Sequence, residues 1–289
     1  MLKPDLSRLT SFRIGGEPVE LRTPGTLEEL ARDLVELRSR SPFILGGGSN
    51  TLFSDGPFRR PIISTARLRR MELRGRRVRA ECGVRLGTLI GAALAHGLEG
   101  PESFVGIPAT VGGAVVMNAG GASGYGFGAL VRELGLLELA TGDVIRARGE
   151  DIPWTYRSWQ LRGFAVLWAE LELEERAPRE LRDRSRELFH RKRETQPLEL
   201  PSAGCIFKNP AGQPAAAMID ALGLKGLRRG DAEVSTRHAN FIVNRGHARA
   251  SDVKGLIRAI QERVAEAYGV RLETEVIIAD GASEEPATE

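Results

Sequence analysis

Between Gly106 and Gly120 the chain reads Gly-Ile-Pro-Ala-Thr-Val-Gly-Gly-Ala-Val-Val-Met-Asn-Ala-Gly, glycines set among apolar residues and one carboxamide. Glycine permits positive φ and lets a ligand approach the peptide N–H groups closely. Successive N–H groups in such turns form concavities that hold anions. A second stretch of the same character, Gly46-Gly47-Gly48-Ser49-Asn50-Thr51, follows the apolar run Phe43-Ile44-Leu45. Two such loops imply one large, flat, phosphorylated ligand held from two sides.

At 289 residues the chain has room for two or three domains. Its 42% hydrophobic and 27% charged content is that of a soluble globular protein. No apolar run approaches the roughly 20 residues that span a bilayer, and the N-terminus lacks the apolar core of a signal peptide. A cytoplasmic address without membrane attachment is therefore expected. Basic and acidic residues are interleaved, leaving a net charge of only +3. The runs Arg67–Arg70 and Arg74–Arg77 have no aromatic neighbours for base stacking, which argues against nucleic acid and for a small phosphorylated partner. Cys82 and Cys205 are too few for a disulfide framework or a four-cysteine zinc site. The histidines, at 96, 190, 238 and 247, show no metal-ligand spacing, so no metal is expected and each reads as a surface or turn residue.

Thr26-Leu27-Glu28-Glu29 is a capping-box pattern, continued as an amphipathic helix by Leu30, Ala31, Leu34 and Val35. Strands are expected at Phe43–Leu45, Pro61–Ile63, Arg77–Cys82, Glu133–Leu139, Val144–Ala147 and Phe164–Leu173. A helix over Leu86–His96 should stop at Gly97. The alternation in Arg77–Cys82 makes Cys82 a small core residue. Dense alternating charge over 177–194 suits an exposed helix bridging two domains. Beyond it lie a helix near Gln213–Leu222, strands near Ala232–Val234 and Phe241–Val243, and a helix from Ser251 or Asp252 that buries Val253, Leu256, Ile257, Ile260 and Val264 and ends before Gly269. The tail 281–289 reads as disordered. The organisation is α+β. Walker A and the G-x-G-x-x-G fingerprint are both absent, which removes support for a Rossmann domain.

In Pro201-Ser202-Ala203-Gly204-Cys205-Ile206-Phe207-Lys208-Asn209-Pro210, a thiol, an ammonium and a carboxamide follow a glycine turn. Alternation would put Cys205, Phe207 and Asn209 on one side and Lys208 on the other; Cys205 is either a buried hydrophobe or a functional thiol. Arg157, presented by Tyr156-Arg157-Ser158 after Pro153-Trp154, either pairs with a surface carboxylate or meets an anionic substrate. Leu272–Ile278 would set Glu273 and Glu275 on one strand face. Asn50, Asn118, Asn209, Asn240 and Asn244, the whole asparagine complement, fall in or beside turns; they are turn residues or ligand contacts.

Taken in order, Thr10–Gly16, Gly46–Leu52, Gly106–Gly120, Tyr156–Ser158, Ser202–Pro210, Gly223–Gly226 and Leu272–Val276 resemble the motifs of the UDP-N-acetylenolpyruvoylglucosamine reductase family, in its shorter form, over nearly the whole chain. The resemblance implies an FAD-binding domain of the vanillyl-alcohol-oxidase type, in two α+β subdomains at 1–62 and 63–176. A linker helix and α+β substrate domain would follow at 177–289. It implies noncovalent FAD, since the only histidine of the first half, His96, lies outside both loops. Gly46, Gly47, Gly48, Ser49, Asn50 and Thr51, with Gly106, Ile107, Pro108, Ala109, Thr110, Gly112, Gly113 and Ala114, would hold it; Asn118 is a further flavin-side candidate.

The implied reaction is NADPH-dependent reduction of the enolpyruvyl ether on UDP-N-acetylglucosamine to UDP-N-acetylmuramate, a peptidoglycan precursor, with NADPH and the UDP-sugar using one cleft in turn. Arg157 would stabilise charge developing on the substrate carboxylate. Cys205, standing where the family usually has serine, would deliver the proton; an unperturbed thiol is a far stronger acid than a serine hydroxyl. Glu275 would act as a neutral donor or by orienting a neighbour. Tyr156, Arg193, Gln196, Lys208, Asn209 and Lys225 would contact the UDP-sugar. Another FAD-dependent sugar or alcohol oxidase of the same fold, or a noncatalytic nucleotide-binding module, are the rival readings.

Overall fold

The computed structural model describes residues 5–280, so the tail expected to be disordered lies outside the described residues. Contacts group the chain into two compact units that do not follow chain order. The first comprises Leu21–Gly47 and Pro61–Lys192; the second takes in the chain up to Glu20, Gly48–Arg60 and the chain from Arg193 onward.

In the first unit, α1 (Leu27–Leu37) starts where the capping pattern lies. Thr26 Oγ1 accepts from the Glu29 N–H at 3.2 Å, while Glu29 reaches one residue further back than a capping box requires, to the Gly25 N–H at 2.7 Å. Its Leu30, Leu34 and Leu37 are buried. They lie in the same core as Ile63, which belongs to a parallel sheet ordered Leu21–Arg22, Ile62–Ser64, Phe43–Leu45. A five-stranded antiparallel sheet follows, ordered Met71–Arg74, Arg77–Glu81, Phe164–Glu172, Val131–Glu138, Val144–Arg148. Arg77–Glu81 alternates as expected, with Val78 and Ala80 buried. α2 (Leu86–Ala95) is followed by Gly97 at φ 67°, the left-handed stop that its glycine allows.

The glycine-rich stretch is less of a loop than its composition suggests, because Val111–Val116 forms a short helix, α3, packed on the central strand Phe164–Glu172. The Gly112 N–H donates to the Cys82 carbonyl at 2.8 Å, and a Cβ on Gly112 would lie 2.8 Å from the Cys82 Cβ. Glycine here is a packing requirement. Cys82 is the core residue expected, and burial pushes its thiol up to about 12. α4 (Pro178–Thr195) is solvated, with only Leu181 and Ser185 buried.

The second unit is built on an antiparallel sheet ordered Ser202–Cys205, Phe241–Asn244, Ala232–Val234, Arg228–Arg229, with α5 (Ala215–Ala221) and α6 (Ala250–Tyr268). Val253, Leu256, Ile257, Ile260 and Val264 of α6 are all buried, as the sequence pattern requires, and Gly269 at φ 66° ends it. Asp55 caps its first turn, accepting from the Ala250 and Ser251 N–H groups at 2.5 and 3.0 Å. Thr51–Phe53 pairs in parallel with Ile277–Ala279, which is why residues 48–60 group with the C-terminal part of the chain.

Two expectations fail locally. The regular strand expected over Leu272–Ile278 is confined to Ile277–Ala279, with Thr274 making an isolated bridge to Phe207. Side-chain alternation also breaks at Gly204: between the pairs Ser202–Val243 and Cys205–Phe241, two residues on one strand face one on the other, and Gly204 takes φ 76°. This bulge sends Ala203, Ile206 and Phe207 into the core and leaves Cys205 half-buried, so Cys205 and Phe207 do not share a face.

Candidate active site

In the first unit the turn after Phe43–Leu45 lies directly on the Pro108–Thr110 segment. A Cβ on Gly46 would fall 2.6 Å from Thr110 Oγ1, and one on Gly47 would fall 2.9 Å from the Pro108 carbonyl oxygen. Only glycine allows this approach. Gly47 and Pro108 are exposed and Gly46 and Ala109 half-exposed, so the two stretches present main chain with little side-chain cover. That surface fits a flat, anionic cofactor such as FAD, which needs peptide groups and no bulk above them. Lys192 of α4, which the sequence reading passed over, donates from Nζ to the Val105 carbonyl at 2.8 Å and lies against Gly106, whose Cβ would meet its Cδ at 2.9 Å. Its signal was its rarity in a chain that favours arginine.

Arg157 occupies a tight turn closed by the Thr155 N–H to the Ser158 carbonyl at 2.9 Å and the Ser158 N–H to the Thr155 carbonyl at 3.2 Å. Its own φ is 60°, a left-handed conformation that costs a non-glycine residue about 1–2 kcal/mol. The guanidinium approaches Gly120 with its Nη1 edge, and its Cζ is 5.0 Å from the centroid of the exposed Tyr156 ring. Asn118, at φ 38°, accepts from the Gly128 N–H at 3.0 Å and donates to the Thr155 carbonyl at 2.9 Å. The glycine stretch and the Arg157 turn are thereby tied together.

In the second unit, Ser11 joins the rest of the Gly46–Thr51 loop to the cysteine strand. Its N–H donates to the Gly48 carbonyl at 3.1 Å and its hydroxyl to the Ser202 carbonyl at 2.7 Å. The Asn50 carboxamide donates to the Glu275 carbonyl at 3.0 Å, and the Glu275 N–H donates to the carbonyl of Ile206 at 2.8 Å, the residue after Cys205. The structure thus brings Gly48, Asn50, Cys205 and Glu275 into one neighbourhood. Glu275 is half-buried. Its companion Glu273 is solvated and pairs with Lys208 at 3.3 Å.

Lys225 pairs with Asp220 at 2.7 Å and stands near half-buried His238, whose imidazole is held below its usual value by burial first and by Lys225 second. His238 stacks edge-on with Phe241 at 4.9 Å and sits in the turn before that strand, its carbonyl accepting from the Phe241 N–H at 3.0 Å, a turn residue as expected but half-buried. Arg193 is exposed and Gln196 half-exposed; their carbonyls both accept from Arg237 Nη1 at 3.1 Å, which fixes the end of α4.

All the asparagines bond the protein's own backbone. Besides Asn50 and Asn118, Asn209 accepts from the Ala215 N–H, Asn240 exchanges two bonds with Phe207, and Asn244 donates to the Phe12 carbonyl and accepts from the Gly246 and Ala248 N–H groups. Among the described residues no cluster of His, Cys, Asp or Glu could hold a metal ion, and no helix is long and apolar enough to cross a membrane.

A family model described as an FAD binding domain matches residues 20–148, and one described as the C-terminal domain of UDP-N-acetylenolpyruvoylglucosamine reductase matches 196–279. The UDP-N-acetylenolpyruvoylglucosamine reductase of Moorella thermoacetica is 43% identical over 94% of this chain and 90% of its own. That of Alkalilimnicola ehrlichii is 40% identical over 94% and 92%. The crystal structure of the UDP-N-acetylenolpyruvylglucosamine reductase from Thermus caldophilus superposes with a TM-score of 0.82 at 37% identity, covering 95% of this chain and 97% of that one.

Proposed function

Since the chain belongs to the UDP-N-acetylenolpyruvoylglucosamine reductase family, we propose that it reduces the enolpyruvyl ether of UDP-N-acetylglucosamine to UDP-N-acetylmuramate for peptidoglycan synthesis. It is an FAD-dependent oxidoreductase of α+β fold. The observation that carries the reading is the match of both halves of the chain to the parts of one enzyme. Gly46, Gly47 and Gly106–Ala114 fall within the FAD-binding match, and Cys205, Lys208, Lys225 and Glu275 within the reductase match. A sugar or alcohol oxidase would account for the first half alone.

When bound, FAD supplies the hydride that the substrate olefin accepts. Gly46–Thr51 and Gly106–Ala114 would hold it without covalent attachment, with NADPH as the reductant. The remaining tasks fall to side chains. Hydride addition at the terminal vinyl carbon drives electron density into the substrate carboxylate, and the Arg157 fork, always charged, pairs with that carboxylate bidentately. Cys205 then protonates the neighbouring carbon from Sγ. Glu275 serves as a neutral donor or orients a neighbour, because as a carboxylate it would repel the developing charge. Tyr156, Arg193, Gln196, Lys208, Asn209 and Lys225 receive the UDP-sugar. The Lys208–Glu273 and Lys225–Asp220 pairs are partly solvated, worth about 0–1 kcal/mol each, so a diphosphate can draw both ammonium groups away from their carboxylates. NADPH and the UDP-sugar use the same cleft in turn, and the cytoplasm is the proposed address.

The test is optical. Purified protein should be yellow, bleach with NADPH under anaerobic conditions and recolour on adding the enolpyruvyl UDP-sugar. Efficient recolouring by oxygen with indifference to that sugar would assign an oxidase, and failure to cycle at all would leave only a nucleotide-binding module.

A further inference from the structure

Gly120 lies directly beside the Arg157 guanidinium. A Cβ on Gly120 would fall 2.0 Å from Arg157 Nη1 and 2.8 Å from both Cζ and Nη2, so the Nη1 edge of the guanidinium is directed at a bare α-carbon. Gly120 is not in a left-handed conformation, and no turn geometry demands glycine there. The demand comes from the guanidinium. At the other end of the same turn, Asn118 Nδ2 holds the Thr155 carbonyl, and its Oδ1 is fixed by the Gly128 N–H. Gly126 is packed so closely against this carboxamide that a Cβ there would fall 2.2 Å from Oδ1. Tyr156 and Thr155 are exposed, so the turn has little buried surface of its own to keep it in place.

We infer that Asn118 and Gly120 are positioning residues for Arg157: Gly120 leaves the space that the Nη1 edge of the guanidinium occupies, and Asn118 anchors the turn that carries it. The inference rests on Arg157 being the group that meets the substrate carboxylate. Reaction of a held carboxylate is sensitive to displacements of about 1 Å, which cost on the order of 100-fold in rate. An added methyl at Gly120 requires a shift of that size. The group that must yield is the far end of a flexible side chain, so the fold is barely taxed while the reacting geometry is lost.

The decisive experiment compares Gly120→Ala, Arg157→Ala and the double variant. Gly120→Ala should melt within about 2 °C of wild type and be reduced by NADPH at the wild-type rate. Its kcat for the enolpyruvyl UDP-sugar should fall on the order of 100-fold, with KM changed far less. In the Arg157→Ala background the same methyl should have no further effect, because nothing remains for it to displace. Wild-type kcat in Gly120→Ala beside an impaired Arg157→Ala overturns the inference, as does a Gly120→Ala loss that persists undiminished without Arg157. Full kcat in Arg157→Ala instead removes the assignment of Arg157, and the inference with it. Asn118→Asp keeps the acceptor for Gly128 and deletes the donor to Thr155; kcat per bound flavin should fall on the order of tenfold. Loss of FAD with unchanged kcat per bound flavin would assign Asn118 to the cofactor instead.

Discussion

Arg157 and Cys205 are each placed with the help of a left-handed residue, but the two regions assign that conformation differently. In the Arg157 turn the proposed functional residue itself takes φ 60°. In the cysteine strand Gly204 takes φ 76° and Cys205 remains in the ladder opposite Phe241. A left-handed arginine stores about 1–2 kcal/mol of strain, held in place by Asn118 and the two bonds across the turn. A left-handed glycine stores almost none, and Ala203, Ile206 and Phe207 on either side are buried. The guanidinium therefore depends on polar supports outside its own element, whereas the thiol depends on a packed sheet. The first arrangement should be easy to disturb by single substitutions nearby, and the second hard.

The largest effect is expected at Arg157. Arg157→Ala should lower kcat for sugar-nucleotide reduction about 1,000-fold, the scale on which loss of a preorganised charge donor acts, with flavin reduction by NADPH intact in stopped flow. Arg157→Gly should be equally inactive yet about 0.5–1 kcal/mol more stable than Arg157→Ala, because glycine accepts the turn without strain. Equal melting of the two would show that the turn relaxes when the side chain is gone, and the contrast between the regions would lose its basis. Next comes Cys205→Ala, expected to slow the sugar half-reaction at least about 100-fold, the usual contribution of a positioned acid, while Cys205→Ser keeps measurable turnover. Equal turnover of Cys205→Ala and wild type would remove the thiol from proton delivery.

The same contrast explains what the sequence disclosed. Elements whose signals are local were legible: the Thr26 cap, the α6 stripe from Val253 to Val264, the alternation at Val78 and Ala80, and the buried Cys82 all follow from period and capping chemistry. The α3 helix inside the glycine stretch was not, because Gly112 and Gly113 are poor helix formers, and Gly112 is required there by close packing on Cys82. Pairing of Thr51–Phe53 with Ile277–Ala279 leaves no mark in either segment. The bulge at Gly204 was hidden too, since a glycine in a strand pattern is compatible with regular and bulged pairing alike. In the candidate site, the bare main chain at Gly46 and Gly47 was visible from composition. The tasks of Asn118, Asn240 and Lys192 were not, for each bonds to backbone that is distant in sequence.

A smaller effect is expected from Gly204→Ala. A Cβ there meets nothing within 4 Å, so the cost is purely conformational, about 1–2 kcal/mol in a denaturant titration. If the sheet holds the bulge as firmly as its packing implies, turnover should fall much less than in Gly120→Ala. A loss matching that of Gly120→Ala would show that the thiol is as sensitive to its support as the guanidinium, and the distinction between the two regions would fail.

The smallest effect concerns the frame behind the thiol under mild acid. Glu233 is buried in the strand beside Phe241–Asn244, where Arg245 and Arg228 each reach it at 2.6 Å. The bonds from Arg245 first, against the opposing effect of burial, and then the one from Arg228 hold its carboxyl below the ordinary 4.5. With the folded value lower than the unfolded one, its contribution is complete above about pH 4.5 and is lost as pH falls through the folded value. Thermal melts should therefore show a shallow decline starting below pH 4.5. Glu233→Gln, which leaves two guanidinium groups without their carboxylate, should melt lower throughout but decline less steeply over that interval. An identical acid slope in the two proteins would mean that other carboxylates set the response, and that the sheet carrying Cys205 owes its firmness to apolar packing alone.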